Sequence, residues 1–333
     1  MATGSMLLPP PAKAAARFAE GFGQRVLLTV DTEEEFDWNA PFRRDGHGLS
    51  HLAAIPRFQG FCEGIGAHPV YLVDWPIVRD PQAVAIIGDA VRRGTAEVGI
   101  QLHPWVNPPF EEEVSARNSF AGNLPPALEA AKFGILRDAV EAAFGSAPLI
   151  YRAGRYGLGP QTASLLKSTG IRIDTSVRSL FDYRPKGGPD YSRHPAAPYW
   201  ADAEHELLEL PVTSVHAGLL RQLGVGVQQV ATRVPHGLGA LSRLGLLERI
   251  ALTPEGVSAA EALRGIDIAV GSGLPVLVLS FHSTSLAPGH TPYTPSEREV
   301  ERFFAWFRAV YARLDRHGVR STTVAEIIAA AEV

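Results

Sequence analysis

The 333-residue chain contains a single cysteine, Cys62. One thiol excludes an intrachain disulfide and a cysteine-rich metal site, and it fits a reducing compartment. An excess of charge is also missing. Thirty-one Lys+Arg against 35 Asp+Glu give a formal charge of −4 and a pI near 6.3. Such a balance leaves no electrostatic footprint for nucleic acid or an anionic membrane surface. No segment approaches the roughly 20 apolar residues that cross a bilayer. The start, Met1 to Arg25, carries Pro9-Pro10-Pro11 but no charged head followed by an apolar stretch, so no signal peptide is expected. With 46% hydrophobic residues the chain can bury one large core or two modest ones. The expectation is a soluble, cytoplasmic, globular protein.

Several catalytic signatures are absent too. No Gly-x-Ser-x-Gly elbow occurs, which argues against a serine hydrolase of that type. His205-Glu-Leu-Leu-Glu209 stops short of a zinc helix, because a glutamate takes the place of the second histidine. Gly237-x-Gly239 lacks a third glycine and a preceding strand, and no glycine-rich cradle with lysine serves phosphate chemistry.

What is present is a series of apolar runs that end in polar groups. Val26 to Val30 reads as a buried strand ending in Asp31-Thr-Glu33; a plain strand end running into a polar loop, with Glu34 and Glu35 merely solvated, is the alternative. Further strands are expected at Pro69–Val73 before Asp74, Ala96–Trp105 with Gln101 and His103, and Leu149–Tyr151 before Arg152. Ile171–Ile173 before Asp174, Leu207–Val212 and Val276–Phe281 before His282 complete the series, with Val319–Thr323 a candidate eighth. Helical spacing separates them at Leu52–Ile65, Pro81–Arg93, Pro125–Phe144, Pro160–Ser168 and Glu297–His317. A closing helix is expected from Val324 to Ala331. The alternation predicts a parallel sheet with βα crossovers in a single domain of residues 1–333, with residues 1–24 as an N-terminal extension. Asp182–Glu206 has the length of a lid or binding loop, and residues 215–273 read as a helical insertion packed on the barrel.

Asp31, Asp74, His103, Arg152, Asp174 and His282 all fall at or just after strand carboxyl ends, where α/β folds build sites. Asp31 and Glu33 are two residues apart on extended backbone and share a side, as do Gln101 and His103. Carboxylates with imidazoles are ordinary ligands for zinc or a similar divalent ion. Arg155, with Arg152 as second choice, suits a carboxylate partner or a loop-fixing salt bridge.

These motifs carry a resemblance. Thr29-Val-Asp31-Thr-Glu33, Glu97-Val-Gly99 leading to His103-Pro104, Arg152-Ala-Gly-Arg155-Tyr-Gly157, Ile173-Asp174 and Leu279-Ser-Phe-His282 fall in the order of the motifs of the polysaccharide deacetylase (NodB homology) family. The resemblance implies an α/β fold, a distorted (β/α)7-type barrel, and metal-dependent hydrolysis of N- or O-acetyl groups on sugars. It makes Asp31 the catalytic base, His282 the catalytic acid, Arg155 the arginine that steadies the base and Asp174 the acid that orients the histidine. Glu33 takes the place of the metal-binding aspartate and His103 that of one metal histidine. Two departures stand out: Thr32 occupies the position of a second aspartate, and Gln101 that of the other metal histidine.

The expectation is therefore a zinc-type hydrolase acting on a carbohydrate or small-molecule substrate. Trp105, Arg152 and Tyr183 are the candidate substrate contacts, and Tyr191 and Trp200 are further aromatics on the same rim. Gln101 keeps two alternatives open, a non-catalytic carbohydrate-binding or regulatory protein with a degenerate metal site and a metal-free amidohydrolase. The aromatic loop leaves room for a homo-oligomeric contact.

Overall fold

The computed structural model describes residues 6–37, 40–232, 234 and 236–332. Residues 1–5 of the expected N-terminal extension and residues 233 and 235 of the expected insertion lie outside them, as do residues 38, 39 and 333.

Seven parallel strands form the frame: β1 (Arg25–Thr32), β2 (Pro69–Val73), β3 (Glu97–Leu102), β4 (Ile150–Ala153), β5 (Ile173–Asp174), β6 (Leu208–Glu209) and β7 (Val276–His282). Their spatial order is β7-β1-β2-β3-β4-β5-β6, with Tyr199–Trp200 antiparallel on β6 and Arg320–Ser321 pairing with the start of β1. The helices include α1 (Ile55–Gly64), α2 (Pro81–Arg92), α3 (Pro126–Phe144), α4 (Thr162–Ser168), α5 (Ala259–Gly271), α6 (Glu297–Arg316) and α7 (Val324–Ala330), each read individually from the sequence except α5, which lies in the stretch read as a helical insertion. Local signals set their ends. Asp80 caps α2 by accepting from Ala83 N at 2.8 Å, and Gly145 closes α3 in the left-handed region at φ 77°.

The sheet curls toward closure without a ladder between β6 and β7. Thr213, just beyond β6, crosses that seam by donating its N–H to Val278 O at 3.2 Å and accepting from Val278 N–H at its Oγ1 at 2.8 Å. This irregular seam distorts the barrel. The α/β barrel-like architecture agrees with the motif resemblance.

Period-two alternation sorts the strands. Val26, Leu28 and Val30 of β1 pack outward against the helices, and Leu27 faces inward with Val70, Leu72, Ile150, Ile173, Val276 and Val278. Val324 and Ile327 of α7 belong to this inner apolar cluster. Above it the inward positions turn polar: Thr29 and Asp31 on β1, Gln101 on β3, Arg152 on β4, and Ser280 and His282 on β7. Register places His282 beside Asp31 and Gln101 beside Arg152. A layered interior with its polar layer at the strand carboxyl ends is the arrangement βα barrels use for sites.

Residues 215–273 depart from a purely helical insertion. Ser214–Ala217 and Glu248–Ala251 form an antiparallel ribbon around the helical stretches Gly224–Ala231 and Gly237–Arg243, and α5 follows. No helix among the described residues is long and apolar enough to cross a membrane.

Candidate active site

Asp31 sits on β1 itself and is 2% exposed. A carboxylate this buried needs an opposite charge and hydrogen bonds. The opposite charge comes from Arg152, whose Nη1 bonds Asp31 Oδ1. The same guanidinium reaches Ser280 Oγ at 2.7 Å, Thr29 Oγ1 at 2.9 Å, Thr175 Oγ1 at 3.2 Å and Thr175 O at 3.0 Å. Arg155, expected to steady this acid, does not. It lies over the rings of Phe120 at 4.1 Å and Phe42 at 4.9 Å, and it bonds Ser119 Oγ and Ala116 O. The reason is periodicity: Arg152 continues the inward face of Ile150, whereas Arg155 lies past the strand end in a left-handed turn at φ 54°.

Beside Asp31, at 3.9 Å from its Oδ2, stands Nε2 of His282. Glu255 orients that ring. Its Oε2 accepts from His282 Nδ1 at 2.7 Å, and its Oε1 takes the His282 backbone N–H at 3.0 Å and Ser285 Oγ at 2.6 Å. Burial opposes a charged ring, but the carboxylates of Glu255, Glu33 and Asp31 raise His282 to about 10. Burial also acts against Glu255, yet the His282 charge and these hydrogen bonds leave its carboxyl below the usual range. Asp174, expected in this orienting role, instead accepts from Ser176 Oγ at 2.6 Å and lies against Glu209, with burial raising both acids. Strand β5 is two residues long and pairs Asp174 with Glu209 of β6, which turns the acid to that neighbour.

The expected metal residues do come together. Glu33 Oε2 lies 3.5 Å from His103 Nε2 and accepts from Gln101 Nε2 at 3.3 Å. Glu33 Oε1 and Gln101 Oε1 are buried with no hydrogen-bond partner. Burial foremost, against the pull of the His282 and His103 charges, raises Glu33 to about 8.

Behind His103 lies a network the sequence did not announce. Glu34, which a plain strand end would leave solvated, is 1% exposed. Its Oε2 is 3.0 Å from His103 Nδ1, and its Oε1 accepts from Trp105 Nε1 at 2.8 Å. Asp74 Oδ2 is 3.5 Å from the same Nδ1 and accepts from Glu34 N–H at 3.1 Å. Burial raises both acids, and the hydrogen bond between their side chains fits a shared proton. With a divalent ion bound, Nδ1 would donate to this network and leave the Nε2 lone pair on the Glu33 side for the ion, the usual support for a metal-ligating imidazole. Glu34, Asp74 and His103 also lie close enough for one donor atom of each to share an ion. Glu35 holds His51 through both its backbone and its ring, at 2.7 and 3.1 Å, and is likewise not a free loop acid.

Asp31, Glu33, Gln101, His103, Arg152 and His282 line one cavity of about 280 Å³, with Glu34 and Asp74 behind it. Trp105 and Tyr183 form part of its wall. Tyr191 and Trp200 do not: both are buried, Tyr191 bonding Tyr156 O at 2.7 Å and Trp200 stacking on His205. Glu255 was missed because it follows the ribbon strand Glu248–Ala251 inside a segment read as helical. The sequence signal was Ile250-Ala-Leu252 running into Thr-Pro-Glu255, the apolar-run-then-acid pattern of β1.

No family model matches the chain, and no curated protein matches it. Solved structures do. A Mycobacterium smegmatis protein assigned as a polysaccharide deacetylase is 17% identical at TM-score 0.48, over 95% of this chain and 98% of its own. The allantoinase Puue is 12% identical at TM-score 0.52, over 93% and 91%. A 4-α-glucanotransferase from Thermococcus litoralis is 10% identical at TM-score 0.53, over 92% of this chain and 40% of that enzyme. At these identities the likeness is one of fold.

Proposed function

We propose that the chain is a metal-dependent, deacetylase-like hydrolase that removes an acetyl or similar small acyl group from nitrogen or oxygen of a carbohydrate or related small molecule. The observation that carries this reading is the cavity base. There an arginine-held carboxylate, Asp31, stands 3.9 Å from a carboxylate-held imidazole, His282, beside two unpartnered oxygens and the Nε2 of His103. The donor set fits a divalent ion: a carboxylate, an amide oxygen and an imidazole, two of them carrying buried atoms with nothing to bond. Glu33, Gln101 and His103 would hold it, with zinc the natural candidate. A bound divalent ion polarises an acyl carbonyl and lowers the pKa of water toward about 7.

The chain's own residues supply the proton traffic. Asp31 accepts a proton from the attacking water, with Arg152 as its fixed opposite charge. His282, protonated and gripped by Glu255, donates from Nε2 to the departing nitrogen or oxygen. Trp105 and Tyr183 offer ring faces to the substrate. Arg152, Glu255 and Glu34 act through other residues and are positioning groups.

A second reading retains Asp31 and His282 but dispenses with the ion. The hydrogen bond from Gln101 Nε2 to Glu33 Oε2 favours it, because the amide satisfies an oxygen the ion would otherwise take. Acetate release from acetylated mono- and disaccharides, followed with and without EDTA, separates the two. The metal-dependent reading expects turnover that EDTA abolishes, and a drop on the order of 10²–10⁴ in Asp31→Asn and His282→Ala. Unchanged turnover in both variants overturns both readings, and EDTA-resistant turnover selects the second.

A further inference from the structure

The cavity wall opposes its acidic base with positive charge. Arg178, four residues past β5, lines the cavity with its guanidinium 4.0 Å from the Phe181 ring centroid and 5.4 Å from that of Tyr156. Its Nε is buried with no hydrogen-bond partner, and the Tyr183 hydroxyl stands 3.5 Å from Nη1. Phe181 is covered again by Arg249 at 3.6 Å, so one ring carries two guanidiniums. Burial and the Arg178 charge together lower Arg249 to about 10. Arg155 and Lys186 line the same cavity, Lys186 from the exposed turn Arg184–Lys186.

Among the described residues, none of Arg155, Arg178, Lys186 and Arg249 has a carboxylate oxygen within 4.0 Å. The nearby acids are committed: Glu255 to His282, Asp31 to Arg152, and Asp182 and Asp190 to Arg184. Burial works against the Arg178 charge, but Tyr156, Tyr183 and the more distant Glu255 uphold it, so an arriving anion would meet a charged guanidinium without having to displace a paired carboxylate. Guanidinium is also the group best shaped for a carboxylate or phosphate.

We propose that the substrate carries an anionic substituent, a carboxylate or phosphate on the acylated skeleton, received by Arg178 with Arg155 and Lys186. The proposal rests on this cavity being the active site, but it concerns recognition and not turnover. It would make the enzyme selective for acidic sugars or sugar phosphates over neutral ones.

The test is isothermal titration of EDTA-treated protein with D-glucuronate, glucose 6-phosphate and inorganic phosphate, with D-glucose as neutral control. At least one anion should bind tenfold or more tighter than glucose, and preference between glucuronate and glucose 6-phosphate assigns the carboxylate or phosphate source. Arg178→Gln should lose that margin and Arg178→Lys should retain part of it. Lys186→Gln, at an exposed position that leaves folding untouched, should weaken anion binding about threefold. The proposal is overturned if no anion binds more tightly than glucose, or if Lys186→Gln and a folded Arg178→Gln both bind as the wild type does. Anion binding without acyl turnover under any metal loading would leave this proposal standing and remove the hydrolase reading. Turnover of neutral sugars without anion preference would do the reverse.

Discussion

Replacing Arg152 and Arg155 in turn should separate two arginines that the sequence ranked the other way round. Arg152→Met strips the hydrogen-bonded charge from Asp31, which is 2% exposed and keeps only the His282 ring at 3.9 Å, and frees the hydroxyls of Thr29, Thr175 and Ser280. Removing one partner of a buried ion pair costs about 3–5 kcal/mol. Arg155→Met loses two ring contacts, each worth about 0.5–1 kcal/mol, and bonds to Ser119 and Ala116. Urea unfolding followed by circular dichroism should therefore show a much larger drop for Arg152→Met than for Arg155→Met. A double-mutant cycle with Asp31→Asn sharpens the test, because neutralising Asp31 removes the charge that Arg152→Met strands. The double variant should be more stable than additivity allows, by about 2–3 kcal/mol. Equal costs for the two arginines, or additivity within about 0.5 kcal/mol, would refute the placement of Arg152 as the partner of Asp31.

Glu255 and His282 make a pH prediction for metal-free protein. His282 is raised from 6.5 to about 10, so its contribution to stability is full below pH 6.5 and is lost as pH rises from there through about 10. Glu255 is lowered from 4.5, so its contribution holds above pH 4.5 and is lost as pH falls below that. Thermal unfolding of Glu255→Gln across pH 6.5–10 should show a flatter loss than the wild type, and an unchanged slope would contradict the pairing. Gly154 makes a steric one. A Cβ there would meet His103 Cδ2, and Leu102 O at 2.5 Å, so Gly154→Ala should turn the imidazole and weaken zinc affinity about 10–100-fold while the fold persists. Calorimetric zinc titration reads this directly, and unaltered affinity would mean that His103 is not a ligand.

The polar layer was legible because a fully buried parallel strand has no ordinary place for an acid. An apolar run broken by Asp31 and Glu33, or by Gln101 and His103, marks both the strand's end and the face that matters. Alternation along β4 also held the answer to the arginine question: Ile150 in, Tyr151 out, Arg152 in. Family motif order drew attention to Arg155 instead. Other residues gave weaker signals. Glu34 follows Glu33 in an acidic run that reads as solvated, and only the neighbouring Asp74, Trp105 and His103 make its burial tolerable. Glu255 follows a ribbon that breaks the βα alternation, so its closeness to His282 is a product of tertiary packing across the barrel seam. Tyr191 and Trp200 show the converse, since aromatic residues in a long loop are as able to fill a core as to line a rim.

The most direct measurement is the metal content of the purified protein after zinc or cobalt loading, by elemental analysis, for the wild type and His103→Ala. The account predicts close to one equivalent in the wild type and its loss in the variant, since His103 Nε2 is the only imidazole nitrogen among the three proposed ligands. No metal in the wild type under any loading, or full retention in His103→Ala, would contradict it.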